Sequence, residues 1–231
     1  ELERRLGTGE VAVVAGFQGL GPDGRITTLG RGGSDLTAVA LAGALGAERC
    51  DIYTDVDGIY TSDPRIVAKA KNLAYVTYEE MLEMASLGSN VLQTRSVELA
   101  MKHGVRIQVR SAFSGAHGTF VVNEDEIVEQ RVVSGIAYSR DEAKITLLQV
   151  DDQPGVAAAI FGPLADAGIN VDMIVQNFSA DGRKTDITFT VGRADMARTV
   201  KMLDDIHGAV TYAAVSPDPN VAKISVIGVG M

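Results

Sequence analysis

Apolar and polar positions along this chain fall into short blocks that predict strands and helices in turn. The run Val11-Ala-Val-Val-Ala-Gly-Phe17 is almost wholly apolar and predicts a buried strand. Residues 18–33 are turn-rich, with Gly21-Pro22-Asp23-Gly24 the clearest turn. Residues 35–46 predict a helix that Gly46 closes. Asp51–Asp55 reads as a short strand and Asp57-Gly58 as a turn. Thr77 and Glu80 have capping-box spacing ahead of a helix over Met81–Leu87. A further helix is expected over about 91–103, with Gly104 at its end, followed by strands Val105–Val109 and Thr119–Val122. This alternation predicts an α/β domain of three layers with a largely parallel sheet.

The acidic stretch Asn123–Gln130 is a candidate linker, and the pattern changes beyond it. Ala143–Val150 predicts a strand, and Gly155–Ala167 a helix with Val156, Ile160, Leu164 and Ala167 on one face and Gly168 as its stop. Pro163 lies inside that helix, where it removes a hydrogen bond and is expected to kink it. Ile169–Asn177 predicts a strand and Ala180-Asp-Gly-Arg183 a hairpin turn. In Thr185–Val191 the apolar Ile187, Phe189 and Val191 share one side. Ala194–Ile206 predicts a helix with Met196, Val200 and Leu203 aligned, and Thr211–Val215 a last strand. The order βαββαβ is a ferredoxin-like unit. Ala143-Lys-Ile-Thr-Leu-Leu-Gln-Val150 recurs as Ala222-Lys-Ile-Ser-Val-Ile-Gly-Val229, 79 residues on. That is about one unit length, so a second copy is expected to begin there and to be cut short after one strand.

Composition narrows the function classes. At 231 residues, 46% hydrophobic and 22% charged, the chain has room for one large or two medium globular domains. No apolar run is long enough to span a bilayer, so no membrane partner is expected. A net charge of −9 without a Lys/Arg cluster argues against nucleic acid. Cys50 is the single cysteine, which fits a reducing, cytoplasmic setting, and its place before Ile52-Tyr53 suits an inert core thiol. His103, His117 and His207 lack metal-ligand spacing, and no metal site is assigned.

Three polar clusters could carry chemistry. Thr28-Leu-Gly-Arg-Gly-Gly-Ser-Asp35 joins a glycine turn and a cation to a helix start. A helix N-terminus presents unpaired N–H groups and a positive dipole end, and Arg31 adds a two-pronged grip on a carboxylate or phosphate. The plain alternative is a loop before a helix capped by Ser34 or Asp35. Tyr53-Thr-Asp-Val-Asp-Gly-Ile-Tyr-Thr-Ser-Asp-Pro-Arg65 follows a predicted strand, and ligands of open α/β sheets bind beyond strand carboxyl ends. There Tyr60 offers a flat face and Arg65 a phosphate partner, or else the segment is a solvated loop with an Arg–Asp pair. Asp151-Asp-Gln-Pro-Gly155 precedes a helix, and Asn170, Asp172, Gln176 and Asn177 lie on the next strand. That set suits an amino acid's ammonium and carboxylate, or is a helix cap beside a solvent-facing strand.

Leu29–Asp35, Tyr53–Arg65, Tyr78-Glu-Glu-Met-Leu-Glu-Met84 and Asn170-Val-Asp-Met-Ile-Val-Gln-Asn177 together resemble aspartate kinase. The resemblance runs through nearly the whole chain. It implies an amino acid kinase-type domain, partial and with a mostly parallel sheet, over 1–125, and a linker and regulatory-domain strand over 126–142. A ferredoxin-like ACT domain is implied over 143–215, and the start of a second over 216–231. The implied reaction is transfer of a phosphoryl group from ATP, with Mg²⁺, to the side-chain carboxylate of L-aspartate, giving 4-phospho-L-aspartate. By resemblance Arg31 binds a substrate carboxylate, Gly32 and Gly33 complete that contact, and Ser34 and Asp35 order the substrate and the turn. Thr54, Asp55, Tyr60, Asp63 and Arg65 would contact the nucleotide. In the ACT region Asp152, Gly155, Ala157, Asn170, Val171, Asp172 and Gln176 match effector positions for lysine, threonine or both. Assembly as a homodimer, or a hetero-oligomer, through these domains is implied.

Two departures from the family pattern qualify this. No Lys-Phe/Tyr-Gly-Gly phosphate loop occurs in the sequence. Where the family has a lysine in Gly-x-Lys-Val-Leu, the chain reads Gly88-Ser-Asn-Val-Leu92, so Asn90 stands at a nucleotide position without the charge. The 231 residues alone are therefore expected to be inactive. A second reading, an amino-acid-binding regulatory module without turnover, stays open beside the kinase.

Overall fold

The computed structural model describes residues 2–89, 91–127, 132–178 and 184–228, which divide into two compact units. The first comprises residues 1–138 and 225–231, the second 139–224. The expected hairpin turn at Ala180–Arg183 and the nucleotide candidate Asn90 lie outside the described residues.

In chain order the first unit holds α1 (Leu2–Gly7), the antiparallel pair β1 (Gln18–Leu20) and β2 (Ile26–Thr28), α2 (Gly33–Ala44), β3 (Cys50–Thr54) and β4 (Tyr75–Thr77). It continues with α3 (Tyr78–Ser86), α4 (Thr94–His103), β5 (Ile107–Ser111) and β6 (Thr119–Val122). The main sheet has the order β3-β5-β6-β4, with β3–β5 and β4–β6 parallel and β5–β6 antiparallel. Its core gathers Ile52, Val76, Met81, Val97, Ile107, Val109 and Val121, and α4 packs against both α2 and α3. The capping box on α3 forms as its spacing predicts: Glu80 N–H donates to Thr77 Oγ1 at 3.1 Å, and Thr77 N–H to Glu80 Oε2 at 3.0 Å. Gly104, in the left-handed region at φ 64°, ends α4.

One expectation fails here. Val11–Phe17 is not a strand: no described strand pairs with it, and Val11 and Val13 are 90% and 96% exposed. An apolar run records a tendency to be covered, and pairing needs a neighbour at ladder distance. The turn expected at Gly21–Gly24 is present, and its flanks pair as the β1–β2 hairpin.

The second unit is built on β7 (Gly135–Asp151), α5 (Val156–Asp166), β8 (Val171–Phe178), β9 (Lys184–Gly192), α6 (Met196–Ile206) and β10 (Ala214–Ile227). The first four residues of β7 and the last three of β10 belong to the first unit. The sheet order β10-β7-β9-β8 is that of a ferredoxin-like βαββαβ unit. Ala143, Ile145, Leu147, Ile160, Leu164, Ile187, Phe189, Val191 and Leu203 form the core, and Phe161 meets Phe189 edge-on at 5.2 Å between ring centroids. The helix runs through Pro163, and Ala167 N–H donates to the Pro163 carbonyl at 3.1 Å. Ala214 and Val215 of the expected strand and residues 222–227 of the repeat lie in the single strand β10, which neighbours β7 in the sheet.

Candidate functional site

The glycine turn sits before α2, with Gly30 and Gly32 in the left-handed region at φ 78° and 72°. A side chain on L-residues disfavours that region, which accounts for glycine at these positions. Gly33 N–H donates to the Gly30 carbonyl at 3.0 Å, and Leu36 N–H to that of Gly32 at 3.1 Å. Gly33 is buried, and a Cβ there would lie 2.9 Å from Leu29 Cβ. The α2 N-cap is Gly32, with no side-chain cap, so Ser34 and Asp35 are helical residues and neither is the cap. The helix starts earlier than its apolar pattern because the turn delivers the backbone in helical register at Gly33. Unlike the closed start of α3, the start of α2 keeps backbone donors open to a ligand. Ser34 Oγ donates to Asp35 Oδ1 at 3.3 Å. Burial raises the half-buried Asp35 carboxyl above its ordinary range, opposed in part by that bond. Arg31 is exposed, with no acidic partner among the described residues.

The second cluster follows β3. Thr54 Oγ1 donates to Asp55 Oδ1 at 3.1 Å, and Ala112 N–H fixes the Thr54 carbonyl at 2.8 Å. Tyr60 OH donates to Asp57 Oδ1 at 2.9 Å. Arg65 grips Asp63, with Nη2 at 2.8 Å from Oδ2 and Nε at 3.0 Å from Oδ1. The guanidinium holds the Asp63 carboxyl down to about 2, and Tyr138 OH also donates to it, at 3.4 Å. The pair that the plain loop reading anticipated is therefore present, and Arg65 stays exposed beside it. The segment 59–73 is pinned at its base by the fully buried Thr119. Its hydroxyl accepts from Ile59 N–H at 2.8 Å and donates to the Leu73 carbonyl at 2.6 Å. Gly58, at φ 140°, leaves no room for a Cβ, which would fall 2.6 Å from Thr119 Oγ1.

In the second unit Gly155, at φ 91°, is the N-cap of α5 without a side-chain cap, and Asp152 and Ala157 are exposed beside it. Asn170, Asp172 and Gln176 are exposed and Val171 half-buried. No hydrogen bond among the described residues joins any two of these. Asp172 instead pairs with Lys223 Nζ, whose other carboxylate is Glu142 at 3.4 Å. That bond lowers the Asp172 carboxyl. Burial works against the Lys223 ammonium, and the two carboxylates together still hold it above its ordinary value. Strand β8 is an edge strand with Met173, Ile174, Val175 and Phe178 exposed.

The pattern of the chain did not point to Thr119, Arg95 or Lys223. Arg95 Nη2 donates to the carbonyls of Leu29 at 2.9 Å and Arg31 at 3.1 Å, across more than sixty residues of sequence. No local spacing signals such a bond. Cys50 is buried, and burial pushes its thiol up to about 11. Among the described residues no helix is long and apolar enough to cross a membrane, and no three His, Cys, Asp or Glu residues group as metal ligands.

The profile of the amino acid kinase family matches residues 1–111, and that of the ACT domain residues 149–206. An aspartate kinase of Stutzerimonas stutzeri is 53% identical over 231 residues, all of this chain and 56% of that protein. An aspartokinase of Pseudomonas aeruginosa is 53% identical over 228 residues, 98% of this chain and 55% of that one. The crystal structure of Escherichia coli aspartokinase III in complex with aspartate and ADP is similar at TM-score 0.71 and 33% identity, covering 92% of this chain and 47% of that one. The chain thus spans about half the length of the curated relatives it matches. The glycine turn, the β3 loop and the βαββαβ unit are carried on a sequence homologous to those proteins from end to end, and the chain belongs to the aspartate kinase family.

Proposed function

We propose that the chain forms the aspartate-side turn, the nucleotide loop and an ACT regulatory domain of an aspartate kinase, which transfers a phosphoryl group from ATP to the side-chain carboxylate of L-aspartate. The observation that carries this reading is the open start of α2 behind two left-handed glycines, with Arg31, which has no acidic partner among the described residues, beside it. In this reading Arg31 and the turn amides hold a substrate carboxylate, and Ser34 and Asp35 order the turn. Tyr60 packs near the base, Thr54 and Asp55 meet the nucleotide, and Arg65, oriented by Asp63, approaches the phosphates. Two hydroxyls, two carboxylates and one exposed guanidinium on a single loop fit the mixed edges of a nucleotide. Phosphoryl transfer rests on positioning and charge neutralisation, and Mg²⁺ bound with ATP supplies neutralisation at the phosphate oxygens. No residue of this chain is assigned to the metal.

The second relative structure, E. coli aspartokinase III with lysine and aspartate, supports lysine as an effector class for the ACT region. It is similar at TM-score 0.71 and 34% identity. Asp152, Gly155, Ala157, Asn170, Val171, Asp172 and Gln176 are the proposed contacts. The exposed apolar edge strand β8 supports assembly through this domain, as a dimer, and a cytoplasmic setting follows from the biosynthetic role. The absence of a Lys-x-Gly-Gly loop from the sequence supports the expectation that these 231 residues alone do not turn over.

Coupled ADP release with ATP and aspartate tests the reading in the enzyme that carries this sequence. Aspartate-dependent turnover is expected, with Arg31→Ala lowering kcat/KM for aspartate by roughly 100-fold. Absence of aspartate-dependent ADP release refutes it.

A further inference from the structure

The bond from Arg95 to the glycine turn has a consequence for what the turn presents. Arg95 is the second residue of α4, and its Nη2 takes up two carbonyl oxygens of one short segment, those of Leu29 and Arg31. A trans peptide is planar, with its N–H pointing opposite to its C=O. The N–H groups of Gly30 and Gly32 belong to those two peptide units. With the oxygens turned to Arg95, both N–H groups face away from it, and neither donates to a described backbone oxygen. The α4 start is also the wall of the turn: a Cβ on Gly32 would collide with the Gln93 side chain, and one on Gly30 would lie 3.7 Å from Arg95 Nη2.

Charge supports the same side of the turn. The chain carries a net charge of −9, and Arg5, Arg25, Arg49, Arg65 and Arg106 each hold a carboxylate. Arg31 and Arg95 have no carboxylate partner among the described residues, although acids outnumber bases by 30 to 21. A guanidinium that binds only carbonyls keeps its full positive charge for the surroundings. Backbone N–H groups turned to one side of a glycine turn give an anion fixed partial positive charge.

We propose that Arg95 is a positioning residue of the carboxylate site: by holding the Leu29 and Arg31 carbonyls it aims the Gly30 and Gly32 amides at the same carboxylate that Arg31 binds. This rests on the reading of the turn as the aspartate side of a kinase site. The test compares the enzyme carrying this sequence with its Arg95→Met and Arg95→Lys variants, by calorimetry with L-aspartate and by steady-state kinetics. Arg95 is exposed, so both variants should fold, which thermal unfolding checks. Arg95→Met is expected to weaken aspartate binding and raise its KM by about 10- to 100-fold, with the KM for ATP within about twofold. Arg95→Lys keeps a cationic donor and should recover part of the loss. Unchanged aspartate affinity in Arg95→Met, or equal weakening toward ATP and aspartate, overturns the inference while leaving the kinase reading intact. A parent enzyme that binds aspartate without turnover refutes the kinase reading alone, and the variants still report on Arg95. A parent that does neither overturns both.

Discussion

Replacing Thr119 with valine keeps the shape of the side chain and removes the hydroxyl that pins the base of the segment 59–73. That hydroxyl is fully buried, accepting from Ile59 N–H at 2.8 Å and donating to the Leu73 carbonyl at 2.6 Å. Ile59 is 1% and Leu73 5% exposed, so water cannot take its place. An abandoned buried donor or acceptor costs about 1–3 kcal/mol. Two such groups, less about 0.8 kcal/mol for the added buried methyl, put the loss near ~3 kcal/mol. Thr119→Ser keeps the hydroxyl, loses one methyl and should cost only about 1 kcal/mol. Native-state hydrogen exchange at the Ile59 amide, alongside urea unfolding, reads the difference. On the proposed reading the KM for ATP should also rise with Thr119→Val, because Tyr60, Asp63 and Arg65, the proposed nucleotide contacts, ride on the loosened segment. A Thr119→Val protein within about 0.5 kcal/mol of the parent, or a serine variant equally damaged, would refute the account.

Three further outcomes follow from the electrostatics. The Asp63 carboxyl, held down by Arg65, should titrate near about 2 instead of the ordinary 3.8, as followed by NMR. Its folded value is depressed, so its contribution to stability is complete above the ordinary value and is lost as pH falls through the folded one; a midpoint at 3.8 would contradict the pairing. Lys223→Met removes the cation shared by Asp172 and Glu142, so the Asp172 titration should move upward toward its ordinary value, and the stability that the pair adds above that value should be missing, with a correspondingly shallower loss at acid pH. An unmoved Asp172 titration would mean that the pair is not formed in solution. Cys50, buried with its thiol pushed up to about 11, should resist alkylation in the native protein near neutral pH and react only on unfolding. Prompt labelling of folded protein would place the thiol at the surface.

Much of this chain could be read from its residues in order. Thr77 and Glu80 form their capping box, Gly104 closes α4, and Ile187, Phe189 and Val191 line the core, because caps, stops and faces depend on neighbours within about one turn or one strand. The glycines of the Arg31 turn were legible for the same reason, since a positive φ is a property of the residue itself. Burial and partnership were not. Val11–Phe17 reads as core and is exposed, and β10 merges two segments that the repeat separated. Arg95, Thr119 and Lys223 act on groups 46 to 81 residues away. Such contacts are set by which strands pair and which helix ends meet, and the order of residues carries no period that records them. Sequence alone determined which segments turn, cap and alternate, and the motifs that place the chain in its family. Only the tertiary structure decided which carbonyls Arg95 binds, which hydroxyl holds the segment 59–73 and which cation already occupies Asp172.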